Sequence, residues 1–213
     1  IVGSQTFFRE VLATLLRGAL ALLLILAGAL PLGGRRIIKK RMESALTVPV
    51  AIIRSTPVIS VILLALIWFP SGGVPVFAAI LMGFPLLYEN IASGMRSVDR
   101  SYLEMAKTFR LNRSARLLNL YLPALAGYLG SGIRSAQGIV WKVVVAGEVL
   151  SQPGFGIGSR LQESRIYLET AAVFGWTAVL ILLSVGSDAI LRLLRGVRVT
   201  ALIPLKPGSR PSR

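Results

Sequence analysis

Five stretches of this chain are apolar for long enough to cross a lipid bilayer, and that feature excludes most of the ways it could fold. They run from about 11 to 32, 46 to 69, 74 to 91, 120 to 150 and 171 to 194. Each approximates the ~20 residues that a helix needs to span the hydrocarbon core. Lipid offers no hydrogen bonds to a bare backbone, so such stretches must be helical. The predicted fold class is therefore all-α: a polytopic transmembrane helical bundle with five helices. Pro49 and Pro57 in the second stretch, and Pro75 and Pro85 in the third, predict kinks rather than breaks.

Composition agrees. Of 213 residues 54% are hydrophobic and 15% are charged, against about 25% charged in an ordinary soluble domain. The net charge of +15 would suggest nucleic acid in a soluble protein. Here the cations cluster in short segments between apolar runs, and no aromatic stacking platform accompanies them, so no nucleic acid partner is expected. Basic clusters at 35–41, 96–116 and 192–213 place those segments in the cytoplasm, and leave the turn at 70–73 and the loop at 151–170 outside. This topology puts Ile1 outside, so a sixth helix is expected to precede it in the parent chain.

There is no cysteine and no histidine. Disulfides, thiolate or imidazole metal sites and histidine acid–base chemistry are excluded, and no metal is expected. The two aspartates, Asp99 and Asp188, are far apart in sequence, which disfavours an intramembrane hydrolase.

The cytoplasmic segment at about 93–119 has the pattern of an amphipathic helix, with Leu103, Ala106, Phe109 and Leu111 as its apolar face. Ser101 followed by Glu104 has the spacing of a capping box. A helix lying on the membrane surface fits the periodicity equally well.

Glu104-Met105-Ala106, followed by Leu120-Tyr121-Leu122-Pro123, resembles the EAA loop of ABC-importer permeases. Met105 stands at an Ala of that signature, Arg110 at its turn Gly, and Leu120 at its Ile. Gly94 to Asp99, Arg54 and Pro57 with Trp68-Phe69, and Gly132, Arg134, Trp141 and Glu148 resemble the taurine, sulfonate and nitrate permeases of this family.

The resemblance implies a single transmembrane permease domain over 1–213, with a coupling loop at about 93–119 and a cytoplasmic basic tail at 195–213. It implies that Glu104, Met105, Ala106, Arg110, Leu120, Leu122 and Pro123 couple to a separate ABC ATPase subunit. It implies a second permease, either another copy in a homodimer or a close relative, an extracytoplasmic substrate-binding protein, and a place in the bacterial cytoplasmic (inner) membrane. The chain itself is not expected to be an enzyme or to hold a cofactor. It lacks the Gly-x-x-x-x-Gly-Lys-Ser/Thr loop, so ATP falls to the partner. Sulfonate, taurine or nitrate is the implied cargo. A thiamine-precursor pyrimidine or another small nutrient remains open, as does an ATP-independent channel or scaffold. Arg110 is incompatible with easy positive φ, so the turn is expected to move to a neighbour such as Asn112.

Charged groups at membrane depth are costly and mark function by default. Arg17, Arg54, Arg134, Lys142, Glu148 and Asp188 qualify. Arg17 and Arg54 could instead snorkel to an interface, and Asp188 is placed to pair with Arg192 one helical turn on. Arg134, Gln137, Lys142 and Glu148 share the fourth stretch with Gly127, Ser131, Ser135 and Gly138. They are the translocation-pathway candidates. Gly154-Phe155-Gly156-Ile157-Gly158 follows a membrane helix rather than a strand. It reads as a flexible external loop, not a nucleotide site.

Overall fold

The computed structural model describes residues 5–35 and 40–202. The side chains of 34–45, 113 and 194–202 lie outside that description. So do the basic cluster at 35–41 and the basic tail at 195–213, apart from helical backbone. Every regular element among the described residues is helical.

Helix α1 (Gln5–Arg35) supplies the first apolar run. The second run is two helices, α2 (Lys40–Ser55) and α3 (Val58–Trp68). The expected kink is a break: the two axes differ by 102° across Thr56 and Pro57. Proline disfavours helical geometry at the residue before it and brings no N–H of its own. The Ser55 and Thr56 hydroxyls both donate to the Ile52 carbonyl, closing the end of α2 (2.9 and 2.8 Å).

Helix α4 (Val74–Arg96) starts with Pro75 in its first turn and runs unbroken through Pro85. Then come α5 (Arg100–Thr108), the single turn α6 (Arg113–Arg116) and a π-helical turn, Leu117–Tyr121. That turn leads without a break into α7 (Leu122–Ser151). A wider turn just before Pro123 accommodates a ring that would otherwise crowd the preceding carbonyls. The short α8 (Ile157–Ile166) and the long α9 (Thr170–Leu202) complete the chain.

By length and apolarity α1, α4 and α9 can each cross a membrane, and the bent α2–α3 pair counts as a fourth span. Helix α7 is not among these, because it carries Arg134, Lys142 and Glu148. Its 30 residues still reach about 45 Å, enough to cross. The five apolar runs thus correspond to α1, α2–α3, α4, α7 and α9.

The centre is an antiparallel α4–α7 pair with α1 and α3 against it. Ala21, Ile25, Ala29, Ile62, Ala79, Leu87, Ile91, Val140 and Val144 form its fully or almost fully buried core. Small residues set the distance between the two helices, as in other membrane bundles. A Cβ on Gly147 would sit 2.7 Å from Pro75 Cα, and one on Gly132 would sit 2.7 Å from Asn90 Cβ. Helix α9 is the opposite case. Only 6% of its apolar window is buried within the chain.

Candidate functional site

Two clusters of functional side chains lie at opposite ends of the bundle. The first is the loop carrying the EAA resemblance. Helix α5 is capped by Asp99, not by the expected Ser101: the Asp99 carboxylate accepts from the Ser101 N–H at 3.0 Å. The group that carries the acceptor at N-cap sets the start of the helix, and Asp is as good a cap as Ser. That hydrogen bond holds the Asp99 carboxyl below its usual range.

At the other end of α5, Arg110 itself takes the left-handed conformation, with φ 50°; Asn112 does not. The Arg110 N–H donates to Lys107 O at 3.0 Å and the Leu111 N–H to Ala106 O at 2.9 Å. This is a Schellman ending with Arg in the place usually filled by Gly. Asn112 instead starts the next turn, where its Oδ1 accepts from the Ala115 N–H at 2.7 Å.

The exposed apolar stripe of α5 is Tyr102, Met105 and Phe109, which are 56%, 43% and 73% exposed. Sequence periodicity points instead to Leu103, Ala106, Phe109 and Leu111. Of these, Ala106 is buried and Leu103 and Leu111 are half-buried. Residues three and four apart share a helix face, and Tyr102, Met105 and Phe109 obey that spacing. Glu104 is exposed and lies about a third of a turn round from the stripe. Leu120 is half-buried in the π turn, while Leu122 and Pro123 are exposed in the first turn of α7.

The second cluster joins α1, α7 and α8. Glu148 is fully buried. Its carboxylate accepts from Arg17 Nη1 at 2.5 Å, from the Thr14 hydroxyl at 2.9 Å and from the Gly158 N–H at 2.9 Å. Glu10, also buried, accepts from the Gly156 N–H at 2.5 Å and from Arg160 Nη2 at 2.8 Å. The Thr14 oxygen accepts in turn from the Ile157 N–H at 2.9 Å. Two buried carboxylates are thus satisfied by two guanidiniums, a hydroxyl and the first N–H groups of α8, where a helix favours negative charge.

The Gly154–Gly158 segment is therefore not the flexible loop expected from sequence. Gly156 makes room for the Glu148 carboxylate and Gly158 for the backbone of α7. A Cβ at Gly158 would meet Val145 O at 2.5 Å, and Gly156 holds φ 155° beside the Glu148 carboxylate. Arg17 does not snorkel; it is bound to Glu148 and to Phe155 O at 2.7 Å. The Ser151 hydroxyl donates to Ser71 O at 2.9 Å, which brings the 70–73 turn to the same end as α8.

Glu148 stands in this clamp, away from the other pathway candidates. Gln137 is buried and donates to the Ser187 hydroxyl, which also receives the Trp141 Nε1–H at 2.9 Å. The Gln137 Oε1 has no partner among the described residues. Arg134 and Lys142 are exposed and share a face with Gly127 and Gly138, whose missing Cβ atoms would meet nothing within 4 Å. Arg54 is bound to Glu89 at 2.6 Å, and the expected Asp188–Arg192 pair is present at 2.7 Å. Sequence reasoning misses Glu10, Thr14, Arg160 and Glu89. A faint signal exists for Glu10, one of only nine acids in the chain, at the start of its first apolar run. No group of three or more potential metal ligands occurs among the described residues.

This architecture defines a polytopic helical membrane protein with an amphipathic helix presented between two of its spans. The chain belongs to the family described as the binding-protein-dependent transport system inner membrane component, which matches residues 25–196. The resemblance to ABC-importer permeases thus holds at the level of the family.

Over 196 residues, 91% of this chain, it is 27% identical to the putative aliphatic sulfonates transport permease protein of Bacillus subtilis. Over 70% of its length it is 25% identical to the nitrate import permease protein of Synechococcus elongatus. The matches span 70% and 53% of those two proteins. A solved structure described as an amino acid ABC transporter with histidines superimposes with a TM-score of 0.70. It covers 89% of this chain and 92% of that one at 16% identity, and so shares the fold.

Proposed function

We propose that this chain is the membrane-spanning subunit of an ATP-driven importer of a small anion, working as a homodimer in the bacterial cytoplasmic membrane. ATP hydrolysis falls to a separate subunit that docks on α5. An extracytoplasmic binding protein delivers the solute from the side of α8. The observation that carries this reading is the Tyr102–Met105–Phe109 stripe. It leaves three large apolar side chains in the open on a short, well-capped helix, the form of a helix-in-groove contact. The continuous path from α6 through the π turn into α7 gives docking a mechanical route into the membrane. Motion along it is rigid-body rocking, not chemistry.

The anion rests on two supports. Arg134 and Lys142 are cations inside a spanning helix that have no ion-pair partner among the described residues. They lie on a face that the fold leaves open beside glycines, where a second copy or the solute can approach. The relatives named above carry a sulfonate and nitrate in their names.

ATP-dependent uptake of labelled taurine, nitrate and bicarbonate into proteoliposomes holding the whole complex tests the reading. Uptake of one of them is expected. Lys142→Ala with Arg134→Ala should raise its half-saturation concentration at least tenfold. Uptake that proceeds without ATP would point to a channel, and an unchanged affinity in the double variant would remove these residues from the pathway.

A further inference from the structure

Among the described side chains, three are buried beyond the bend between α2 and α3 and one before it. Beyond the elbow, α3 buries Val61, Ile62 and Ala65. Before it, Val50 is the one fully buried side chain among residues 46–55. The elbow end of α2 is tied to α4 by an ion pair, in which Arg54 Nη1 lies 2.6 Å from both carboxylate oxygens of Glu89. Beneath the pair, a cleft of about 520 Å³ opens between the helices, lined by Thr47, Ala51, Ser55, Tyr88 and Ser93 among others.

Glu89 lies about 22 Å of helical rise from the start of α4, two residues before the end of the apolar run at 91. A charged pair at that depth faces protein or water rather than lipid. The pair is half-exposed, with side chains 53% and 40% accessible, so the cleft is open and carries charge at its rim. Half-exposed pairs are weak enough to break and re-form readily. The elbow beside it has no hydrogen bond at Pro57 N to resist rotation. A weak tie at the end of a helix whose described side chains are thinly packed, next to a break, is the construction of a gate.

We propose that the Arg54–Glu89 pair is the latch of a gate on the cytoplasmic half of the bundle. Helix α2 turns about the Thr56–Pro57 elbow. The pair holds it against α4 in one state of the cycle and releases it in another, closing or opening the cleft. The device rests on the importer reading above, since ATP binding at the subunit docked on α5 must drive it.

Residues 1–213 hold no cysteine, so an introduced one is the only thiol among them, and its labelling is read by mass on the peptide that carries it. Ser93→Cys places it in the cleft. The complex of full-length permease and its ATPase is labelled with N-ethylmaleimide, free of nucleotide and then trapped with ATP and vanadate. The labelling rate should differ at least fivefold between the two states. Adding Glu89→Gln should bring both states to the faster rate. The swap of Arg54→Glu with Glu89→Arg should restore most of the difference, which also shows that the altered chains fold. If an active ATPase is bound but the two rates are equal with the pair intact, the gate is wrong and the importer reading survives. The gate is equally wrong if Glu89→Gln changes nothing, or if the swap behaves like Glu89→Gln. If no ATPase binds, the importer reading falls and the gate with it.

Discussion

The two ends of this molecule are built on opposite principles. At the end bearing α8, two carboxylates from α1 and α7 are fully or almost fully buried, and their partners come from α1 and α8. At the end bearing α5, none of the described charged groups is buried, and three large apolar side chains, Tyr102, Met105 and Phe109, stand in the open. Buried ion pairs do not necessarily add stability, but breaking one by removing a partner is costly, so they hold elements in a fixed relation. An exposed apolar stripe does the reverse. It stabilises nothing within the chain and gains only when something covers it. In the proposed importer the α8 end, turned outward, is thus a fixed joint joining α1, α7 and α8, and the α5 end, turned inward, is a surface open to a partner.

The contrast breaks most visibly at Glu148. Glu148→Ala strands Arg17 and the Gly158 N–H in a buried site, and should cost about 3–5 kcal/mol. Unfolding of the purified protein in detergent should show that loss, with α8 becoming protease-sensitive first. A loss under about 1 kcal/mol would mean that water replaces the clamp.

A smaller effect, of opposite sign, is expected at the inner end. Arg110 sits at φ 50°, where a side chain is strained and glycine is not. Arg110→Gly should therefore stabilise the α5–α6 turn by about 0.5–1 kcal/mol, seen as slower amide exchange at positions 110 and 111. Faster exchange would show that the Arg110 side chain contributes more than its backbone conformation costs.

The smallest effect concerns pH. The folded-state pKa of Asp99 is depressed, because its carboxylate accepts from Ser101. Its capping contribution is therefore complete above the unfolded value of about 3.9 and is lost as pH falls through the lower folded value. Fraying of α5 should begin only below about pH 4. Asp99→Asn, which caps without titrating, should remove that dependence while leaving α5 intact at neutral pH.

Long-range pairing, not local pattern, marks what the sequence leaves hidden. The apolar runs announce their helices because lipid leaves the backbone no alternative. The EAA resemblance locates α5 and the entry to α7 for the same kind of reason: both are local spacings. Thr56-Pro57 is readable as a disturbance, but whether a proline kinks or breaks depends on what the flanking halves pack against. The clamp joins Glu10 and Thr14 to residues more than a hundred positions away, and no periodicity connects them. Gly156 and Gly158 look like loop flexibility because their role, making room for the Glu148 carboxylate and for the backbone of α7, exists only once α7 is in place. On α5, the choice between Ala106 and Met105 as the residue presented to a partner differs by one position, within the reach of an error in helix phase.

The most direct test is the amount of ATPase retained by the full-length chain when the two are expressed and purified together. Wild type, Phe109→Asp in the inner stripe and Leu168→Asp at the outer end should be compared at equal permease recovery. Leu168 is at least as open to solvent as Phe109, so it controls for an added surface charge. The account predicts that Phe109→Asp weakens ATPase binding by about 2 kcal/mol, roughly thirtyfold, while Leu168→Asp leaves it unchanged. Equal retention in all three, or a loss confined to Leu168→Asp, would contradict it.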